Sequence, residues 1–266
     1  IIPQFLQDPE AFYESIQQED DLKSKALSLF LSTLTFLAMY GFVTGLLHSG
    51  MQALSTALKM PALFLMTLAF TLPALYFFAL ALLNIRFSVM QAGVVILSGV
   101  GVTSFLLLGL APVTLFFTWT SSNYPFFQLL AVVFVAISGF VGLYYILRGI
   151  SSVDIDNELQ SSSVGNLLLR AWVFLYGFVG AQMTWRLSPF INDPKADFVF
   201  IRPSRDNFFI DVLNAAQKAF GFNNTDFDFI WLYFCGGLIF LSILVFGVFM
   251  QSRKKSDSNE KMNEEE

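Results

Sequence analysis

The stretch VMQAGVVILSGVGVTSFLLLGLAPVTLFF, residues 89–117, contains no Asp, Glu, Lys, Arg or His. A helix that crosses the hydrocarbon core of a bilayer needs about 20 mainly apolar residues. The stretch therefore predicts a membrane-spanning helix, with Pro112 near its end. It is the longest of several such segments, and these segments decide the fold class of the chain.

The composition of the whole chain also favours a membrane protein. Of the 266 residues, 55% are hydrophobic, 13% are charged and 32 are Phe, whereas about 25% of the residues of soluble domains are charged. Cys235 is the single cysteine and His48 the single histidine, which excludes an internal disulfide and a Cys/His metal cluster. No basic patch with interleaved aromatic residues indicates nucleic-acid binding. The lipid bilayer is the expected environment.

Six apolar segments are long enough to cross a bilayer, and they predict an all-α, polytopic transmembrane helix bundle with both termini on one side. If one of the segments interrupted by Pro112 or Pro125 is re-entrant, five spans remain. Of the 15 Lys and Arg residues, nine fall on the side of the termini and six on the other, which favours cytoplasmic termini. The expected location is a bacterial inner membrane or an intracellular membrane. The segments are residues 26–47, 61–83, 89–117, 126–147, 167–187 and 229–250.

Three regions follow from this pattern. Residues 1–25 form an N-terminal amphipathic segment, residues 26–250 the transmembrane bundle, and residues 251–266 a disordered charged tail. Asp8 followed by Pro9 predicts the start of a short helix, because Asp caps helices and Pro fits their first position.

The bundle carries one long insert, residues 188–228, between its fifth and sixth spans. Within it, NFFIDVLNAAQKAF (207–220) places apolar residues at helical spacing and predicts an amphipathic helix that lies on the membrane surface or against a neighbouring element. FVFIRP (198–203) alternates like a short strand. The apolar face of the helix consists of Phe209, Val212, Leu213, Ala216 and Phe220.

Small residues and prolines indicate how the spans pack. Gly41 and Gly45 form a GxxxG in the first span, which predicts close packing within the monomer, with a dimer face as the alternative. In the second span, Pro61 is placed for the beginning of the helix. Pro73 is expected to kink that span near its middle.

The stretch GFVGAQMTWRLSPF, residues 177–190, ends the fifth span. On a helix, Gly177, Ala181, Thr184 and Ser188 share one face and predict a packing surface. Trp185 and Arg186 are expected at the membrane interface, where aromatic rings anchor and guanidinium groups reach phosphates. Gln182 is suited to a hydrogen bond with a neighbouring helix. The alternative is a ligand or partner site at the mouth of the bundle.

The sequence gives little indication of catalytic activity or of ion-coupled transport. No Asp or Glu lies inside a predicted span, which disfavours transport coupled through a carboxylate relay. His48 and Ser49 are neighbours, but no nucleophile motif surrounds them, and a histidine at the edge of a loop is expected at the interface. The chain is therefore predicted not to be an enzyme and to need no cofactor or metal.

The N-terminal part of the chain resembles bacterial members of the Yip-domain family, the Ypt/Rab-interacting membrane proteins, over residues 8–150. The resemblance lies in DPEAFYESIQQ (8–18), in the glycine-bearing first span, and in LAPVTLFF (110–117), which puts a proline late in the third span. It implies about five spans with a cytoplasmic N-terminus and, for eukaryotic members, a part in vesicle traffic. The sixth span and the insert at 188–228 depart from the family pattern. The acidic-aromatic motif of the eukaryotic members is missing, so Rab binding is not carried over.

The leading hypothesis is a non-catalytic integral membrane protein that acts as a scaffold or interaction partner in membrane organisation or trafficking. Its partner would be a second copy or another membrane protein, with the insert and the tail as contact surfaces. The alternative is a transporter or channel for a neutral or lipid-like solute, in which Pro73, Pro112 and Gln182 are the working parts.

Overall fold

The computed structural model describes residues 2–83, 88–120, 124–153, 163–188, 190–191, 197–201 and 208–220. Within these residues the chain forms helices and no strand, which confirms the predicted all-α fold for this part. The strand predicted over 198–203 is wrong for its described residues, because 197–201 are irregular. The helices are α1 (Ile2–Gln7), α2 (Pro9–Gln17), α3 (Leu22–Gly45), α4 (Gly50–Leu83), α5 (Val89–Thr120), α6 (Tyr124–Val153), α7 (Ser163–Arg186) and α8 (Phe208–Phe220).

The two short N-terminal helices meet at the predicted cap. The Asp8 side chain accepts a hydrogen bond from the Ala11 backbone N–H at 3.1 Å, and Pro9 is the first residue of α2, so the predicted helix start is confirmed. After α2 the chain turns through Glu19 and Asp21, whose φ angles of 58° and 46° lie in the left-handed region. Asp tolerates this region better than most residues. The turn directs the chain into α3.

Helix α4 begins at Gly50, so the predicted start of this helix at Pro61 is wrong. The Ser49 Oγ accepts a hydrogen bond from the Gln52 backbone N–H at 3.2 Å, which is the contact of a helix N-cap. Pro61 and Pro73 both lie inside the helix. The turn from α3 to α4 is therefore short, and the two helices run antiparallel.

Helix α3 packs against both α4 and α5. Helix α6 packs against α5, helix α7 against α4, and the N-terminal helices α1 and α2 against α5 and α6. We call the end of the bundle where α3 begins the N-terminal side, and the end where it stops at Gly45 the distal side.

Two of the helix contacts depend on glycine. A Cβ atom at Gly41 would lie 2.5 Å from the Thr56 carbonyl oxygen, and one at Gly45 would lie 2.5 Å from the Ala53 Cα. A Cβ atom at Gly99 on α5 would likewise approach the carbonyl oxygen of Gly142 on α6 to 2.5 Å. Because these distances leave no room for a side chain, only glycine permits such close backbone contact.

Among the described residues, four helices are long and apolar enough to cross a membrane, and this is compatible with a membrane protein. They correspond to the first four predicted spans and cover Leu22–Gly45, Gly50–Ala74, Val89–Phe117 and Tyr124–Val153. Pro112 interrupts neither α5 nor its span, and Pro125 is the second residue of α6. Helix α7 corresponds to the fifth predicted span but is not among these four candidate membrane helices. The sixth, 229–250, lies outside the described residues.

The chain divides into two compact units, residues 1–216 and 217–266. The first contains the bundle and most of α8. Of the second, only residues 217–220, the last turn of α8, are described. The predicted charged tail at 251–266 falls outside the described residues.

Candidate functional site

The first three turns of α4 present a buried polar face. Gln52, Thr56 and Lys59 are spaced by four and three residues, which places them on one side of the helix. All three are almost completely buried. Polar side chains are buried in this way when they have hydrogen-bond partners.

Their partners belong to an irregular piece of chain after α7. We call its described residues, 190–191 and 197–201, the strap. The Thr56 hydroxyl donates a hydrogen bond to the Phe190 carbonyl at 2.8 Å, and the Gln52 amide nitrogen approaches the same oxygen at 3.4 Å. From α6, the Tyr124 hydroxyl donates to the Ile191 carbonyl at 3.3 Å. The strap is thus connected to two helices at the distal side.

Lys59 holds the other part of the strap. Its Nζ donates a hydrogen bond to the Phe200 carbonyl and lies 4.8 Å from the centroid of the Phe200 ring. Only 2% of the Lys59 surface is exposed. A cation held over an aromatic face and out of solvent gains a favourable interaction. Buried ionisable residues in a membrane-spanning segment are rare and are functional candidates by default.

Apolar packing completes the distal site. Phe190 of the strap and, at the end of α7, Met183 and Leu187 are partly buried. All three side chains pack against one buried cluster that four helices contribute, so the strap and the end of α7 share an apolar support. The cluster comprises Leu37, Tyr40, Met60, Leu63, Leu107, Ala111 and Phe134.

A second closure lies at the N-terminal side and is made by residues 2–17, which we call the N-terminal segment. Its Tyr13 is fully buried, and the Tyr13 hydroxyl donates a hydrogen bond to the Tyr145 carbonyl on α6 at 2.7 Å. A Cβ atom at Gly149 would lie 2.6 Å from the Tyr13 ring, so this glycine provides the space for the ring. Burial raises the pKa of the Tyr13 phenol well above its ordinary value, and the hydroxyl remains a donor at neutral pH.

Two further polar contacts hold the N-terminal segment. Glu10 forms a salt bridge with Arg148 of α6 at 2.6 Å. The Gln91 side-chain nitrogen donates to the Ile16 carbonyl at 3.2 Å, at the end of α2. Gln91 and Ser88 also bond each other's backbone N–H groups, a capping box that starts α5. Gln91 therefore caps the beginning of α5 and also hydrogen-bonds the N-terminal segment.

The only histidine has a structural explanation. The His48 Nδ1 lies 2.9 Å from the Ser49 Oγ, but that hydroxyl caps α4. Within the described residues, no three His, Cys, Asp or Glu side chains form a group that could hold a metal ion.

The glycines predicted to contact other helices have different surroundings. Gly41 and Gly45 lie against α4 of the same chain. Gly177 is exposed, and a Cβ atom at this position would have nothing within 4 Å. Within the chain, the face of α7 that packs against α4 instead contains the buried Trp172, whose indole nitrogen donates to the Thr71 carbonyl at 2.8 Å.

The remaining predicted site residues are spread over two elements. On α7, Ala181 and Gln182 are half-buried and Arg186 is exposed. On α8, Val212 is half-buried, and a helix forms over Phe208–Phe220. The side chains of Trp185, Phe209 and Phe220 lie outside those that the structure describes.

The sequence interpretation missed the strap and the polar residues that hold it. It placed Lys59 at the edge of a loop because the second span was taken to begin at Pro61. The signal that could have identified the site is the spacing of Gln52, Thr56 and Lys59, which is that of one helix face. The carbonyl partners could not have been identified, because they lie far away in the sequence.

No protein-family model matches the chain, and neither the curated proteins nor the solved structures give a match. The similarity to the Yip-domain family therefore remains a prediction from the residues that carry it.

Proposed function

We propose that the chain is a multi-pass integral membrane protein without catalytic activity, which acts as a scaffold or interaction partner in membrane organisation or trafficking. In this proposal six helices cross the membrane, both termini are cytoplasmic, and the membrane is a bacterial inner membrane or an intracellular one. The amphipathic helix α8 lies at the membrane surface. The loose resemblance to the Yip-domain family supports the same class of function.

The distribution of apolar and polar side chains supports the membrane location. The outer faces of α3, α4, α6 and α7 expose many large apolar side chains, which a water-soluble bundle would cover, and polar side chains are buried beside the apolar core. Several buried hydroxyls donate to carbonyls of their own helices, so their hydrogen bonds are made within a single helix. These are Thr67 to Leu63, Ser98 to Val95, Thr103 to Gly99 and Ser104 to Gly101.

The outer face of α7 is the surface on which we expect a partner helix to pack. Helix α4 is its main neighbour among the described helices, and none of these helices covers the opposite face. There Phe174 and Phe178 stack at 6.2 Å and are exposed, and Gly177 between them leaves room for another backbone. Helices associate in membranes where small residues let their backbones approach closely. We infer that a helix of a second copy or of another membrane protein packs here.

Replacement of Gly177 by Leu tests this directly, with Gly139→Leu on α6 as the matched control. At both glycines a Cβ atom would meet nothing within 4 Å among the described residues, so the two substitutions are matched in their immediate surroundings. Purification in mild detergent, followed by mass spectrometry and measurement of oligomer mass, should show that Gly177→Leu loses its associated protein and Gly139→Leu keeps it. Equal association in both variants would contradict the assignment to α7.

A second candidate function, movement of a lipid-like solute, is favoured by one groove. It has a volume of about 380 Å³ and an apolar lining contributed by α3, α4 and α5. An acyl chain suits such a surface better than a polar solute does. Transfer of labelled lipid between the leaflets of proteoliposomes would support this function over the scaffold. The lining residues are Ala38, Met39, Phe42, Val43, Ala57 and Leu108.

A further inference from the structure

The salt bridge between Glu10 of α2 and Arg148 of α6 lies open on the surface of the protein. The Glu10 side chain is 74% exposed and the Arg148 side chain 34%. An exposed ion pair of this kind contributes little to stability. A guanidinium group has five N–H donors and a carboxylate has two acceptor oxygens, whereas this contact joins one Arg148 nitrogen to one Glu10 oxygen. Both side chains can therefore bind a further polar group without separating from each other.

Arg148 lies at the polar edge of the apolar part of α6. Residues 124–147 contain no charged residue, and this length exceeds the roughly 20 residues that cross the hydrocarbon core. Arg148 is the first charged residue after them, near the end of α6 at the N-terminal side. A guanidinium group at such an edge reaches the level of the lipid phosphates. The pair therefore faces the headgroups of the leaflet on the N-terminal side.

The outer face of α6 continues from this pair as an apolar stripe. Its four side chains follow one another at a spacing of three or four residues, and Arg148 follows at the same spacing, so all lie on one face of the helix. Each of the four is between 48% and 72% exposed. The stripe extends for about 16 Å along the helix, which matches the roughly 15 Å of one leaflet. It consists of Val133, Ile137, Phe140 and Tyr144.

The two charges of the pair complement those of one class of lipid headgroup. In phosphatidylethanolamine, a phosphate and a primary ammonium group are joined by a short ethylene link. A guanidinium group binds phosphate through parallel N–H bonds, and a carboxylate accepts hydrogen bonds from an ammonium group. The quaternary ammonium of phosphatidylcholine has no N–H to donate, and phosphatidylglycerol has no ammonium group. Arg148 can thus bind the phosphate of each lipid, whereas Glu10 distinguishes phosphatidylethanolamine from the other two.

We propose that Glu10, Arg148 and the apolar stripe of α6 form a binding site for phosphatidylethanolamine in the leaflet on the N-terminal side. This inference rests on the proposed membrane location. The phosphate contacts Arg148, the ammonium group contacts Glu10, and an acyl chain lies along the apolar stripe. Because Glu10 belongs to α2 and Arg148 to α6, one bound lipid contacts the N-terminal segment and the bundle at the same time.

Native mass spectrometry of the full chain in mild detergent tests the proposal. The protein is titrated with phosphatidylethanolamine, phosphatidylcholine and phosphatidylglycerol that carry identical acyl chains. The wild type should bind phosphatidylethanolamine roughly ten times more tightly than the other two, the effect expected of one hydrogen bond between charged groups. Flotation of the protein with liposomes after an alkaline wash tests the membrane location separately.

Three variants separate the contributions to binding. Arg148→Gln should weaken the binding of all three lipids. Glu10→Gln should reduce the affinity for phosphatidylethanolamine to that for phosphatidylcholine and leave the latter unchanged. Lys23→Gln is the matched control, because it removes an exposed positive charge at the N-terminal side and leaves the Glu10–Arg148 pair intact.

Three outcomes overturn the site and leave the membrane location standing. They are equal affinity of the wild type for the three lipids, a preference for phosphatidylethanolamine that persists in Glu10→Gln, and an equal loss of binding in Lys23→Gln and Arg148→Gln. The last of these would mean that the protein attracts lipids only through its overall charge. Failure of the protein to float with liposomes overturns both the site and the membrane location.

Discussion

The N-terminal segment and the strap close opposite ends of the same bundle by different physical means. The N-terminal segment is helical, so its backbone groups bond one another, and large side chains such as Phe5 and Tyr13 hold it in place. The strap is irregular, and its carbonyls are bonded by Thr56, Tyr124 and Lys59. The comparison shows that a helical segment needs space in the bundle for its side chains, whereas an irregular segment needs hydrogen-bond donors for its backbone carbonyls.

The receiving surfaces differ accordingly. At the N-terminal side, Gly149 makes room for the Tyr13 ring, and Gly101 lies against Ile2, where a Cβ atom would come within 3.1 Å of that side chain. At the distal side, the receiving face of α4 consists of polar side chains instead of glycines. Substitutions should therefore act through packing in the first region and through hydrogen bonding in the second.

The largest effect is expected from Tyr13→Ala. Loss of a buried aromatic side chain costs about 3–5 kcal/mol, and the hydrogen bond to Tyr145 is lost with it. Denaturation in mild detergent should show this decrease in the free energy of unfolding. Glu14→Ala, on the exposed face of the same helix, is the control. A change no larger than that of the control would show that the N-terminal segment does not depend on packing.

A smaller, local effect is expected from Thr56→Val, which keeps the shape and removes the donor to Phe190. Leaving a buried carbonyl with a weaker partner costs about 1–3 kcal/mol, and the lower end applies because Gln52 approaches the same oxygen. Since about 1.4 kcal/mol corresponds to a tenfold change, chymotrypsin should cleave after Phe190 roughly five to ten times faster, provided that cleavage follows local opening.

Thr35→Val is the matched control for this measurement. The Thr35 hydroxyl bonds the Leu31 carbonyl of its own helix and lies on an exposed face of α3, so its loss should leave cleavage unchanged. Equal cleavage rates in both variants would show that hydrogen bonds from α4 do not hold the strap.

Local patterns were sufficient to predict the elements that depend on local physics. The Asp8-Pro9 start of α2 is confirmed because a cap and the first turn of a helix involve neighbouring residues. The long apolar helices follow from composition alone, and continuous helix through Pro112 agrees with the predicted third span. Helix α1 was not predicted, since six residues are too few to show helical periodicity.

The strap could not be predicted in the same way. Thr56 and Lys59 bond carbonyls that lie 134 and 141 residues away in the chain. A local sequence pattern does not predict contacts over such distances. In addition, the polar residues between 50 and 60 lower the mean hydropathy of this part of α4, so it does not stand out as part of a membrane span. The start of α4 was therefore assigned to Pro61, although Ser49 caps the helix much earlier.

Glycine spacing illustrates the same limit. It predicts that a helix can approach another closely, but it does not identify the other helix. Gly41 contacts α4 within the chain, whereas the space around Gly177 is open. Both glycines lie in similar patterns of small residues. Their surroundings differ because the helices pack in a particular order, which these patterns do not contain.

The smallest effect is expected from Glu10→Gln, which removes the salt bridge to Arg148. Both groups are partly or largely exposed, so solvent and salt screen their attraction. The variant should unfold slightly more easily than the wild type at low ionic strength and equally at high ionic strength, with Glu14→Gln on the same helix as control. A loss that persists at high salt would mean that the hydrogen bond between Glu10 and Arg148, and not their screened charge attraction, holds the segment. The N-terminal segment would then depend on polar contacts much as the strap does, and the contrast between the two closures would weaken.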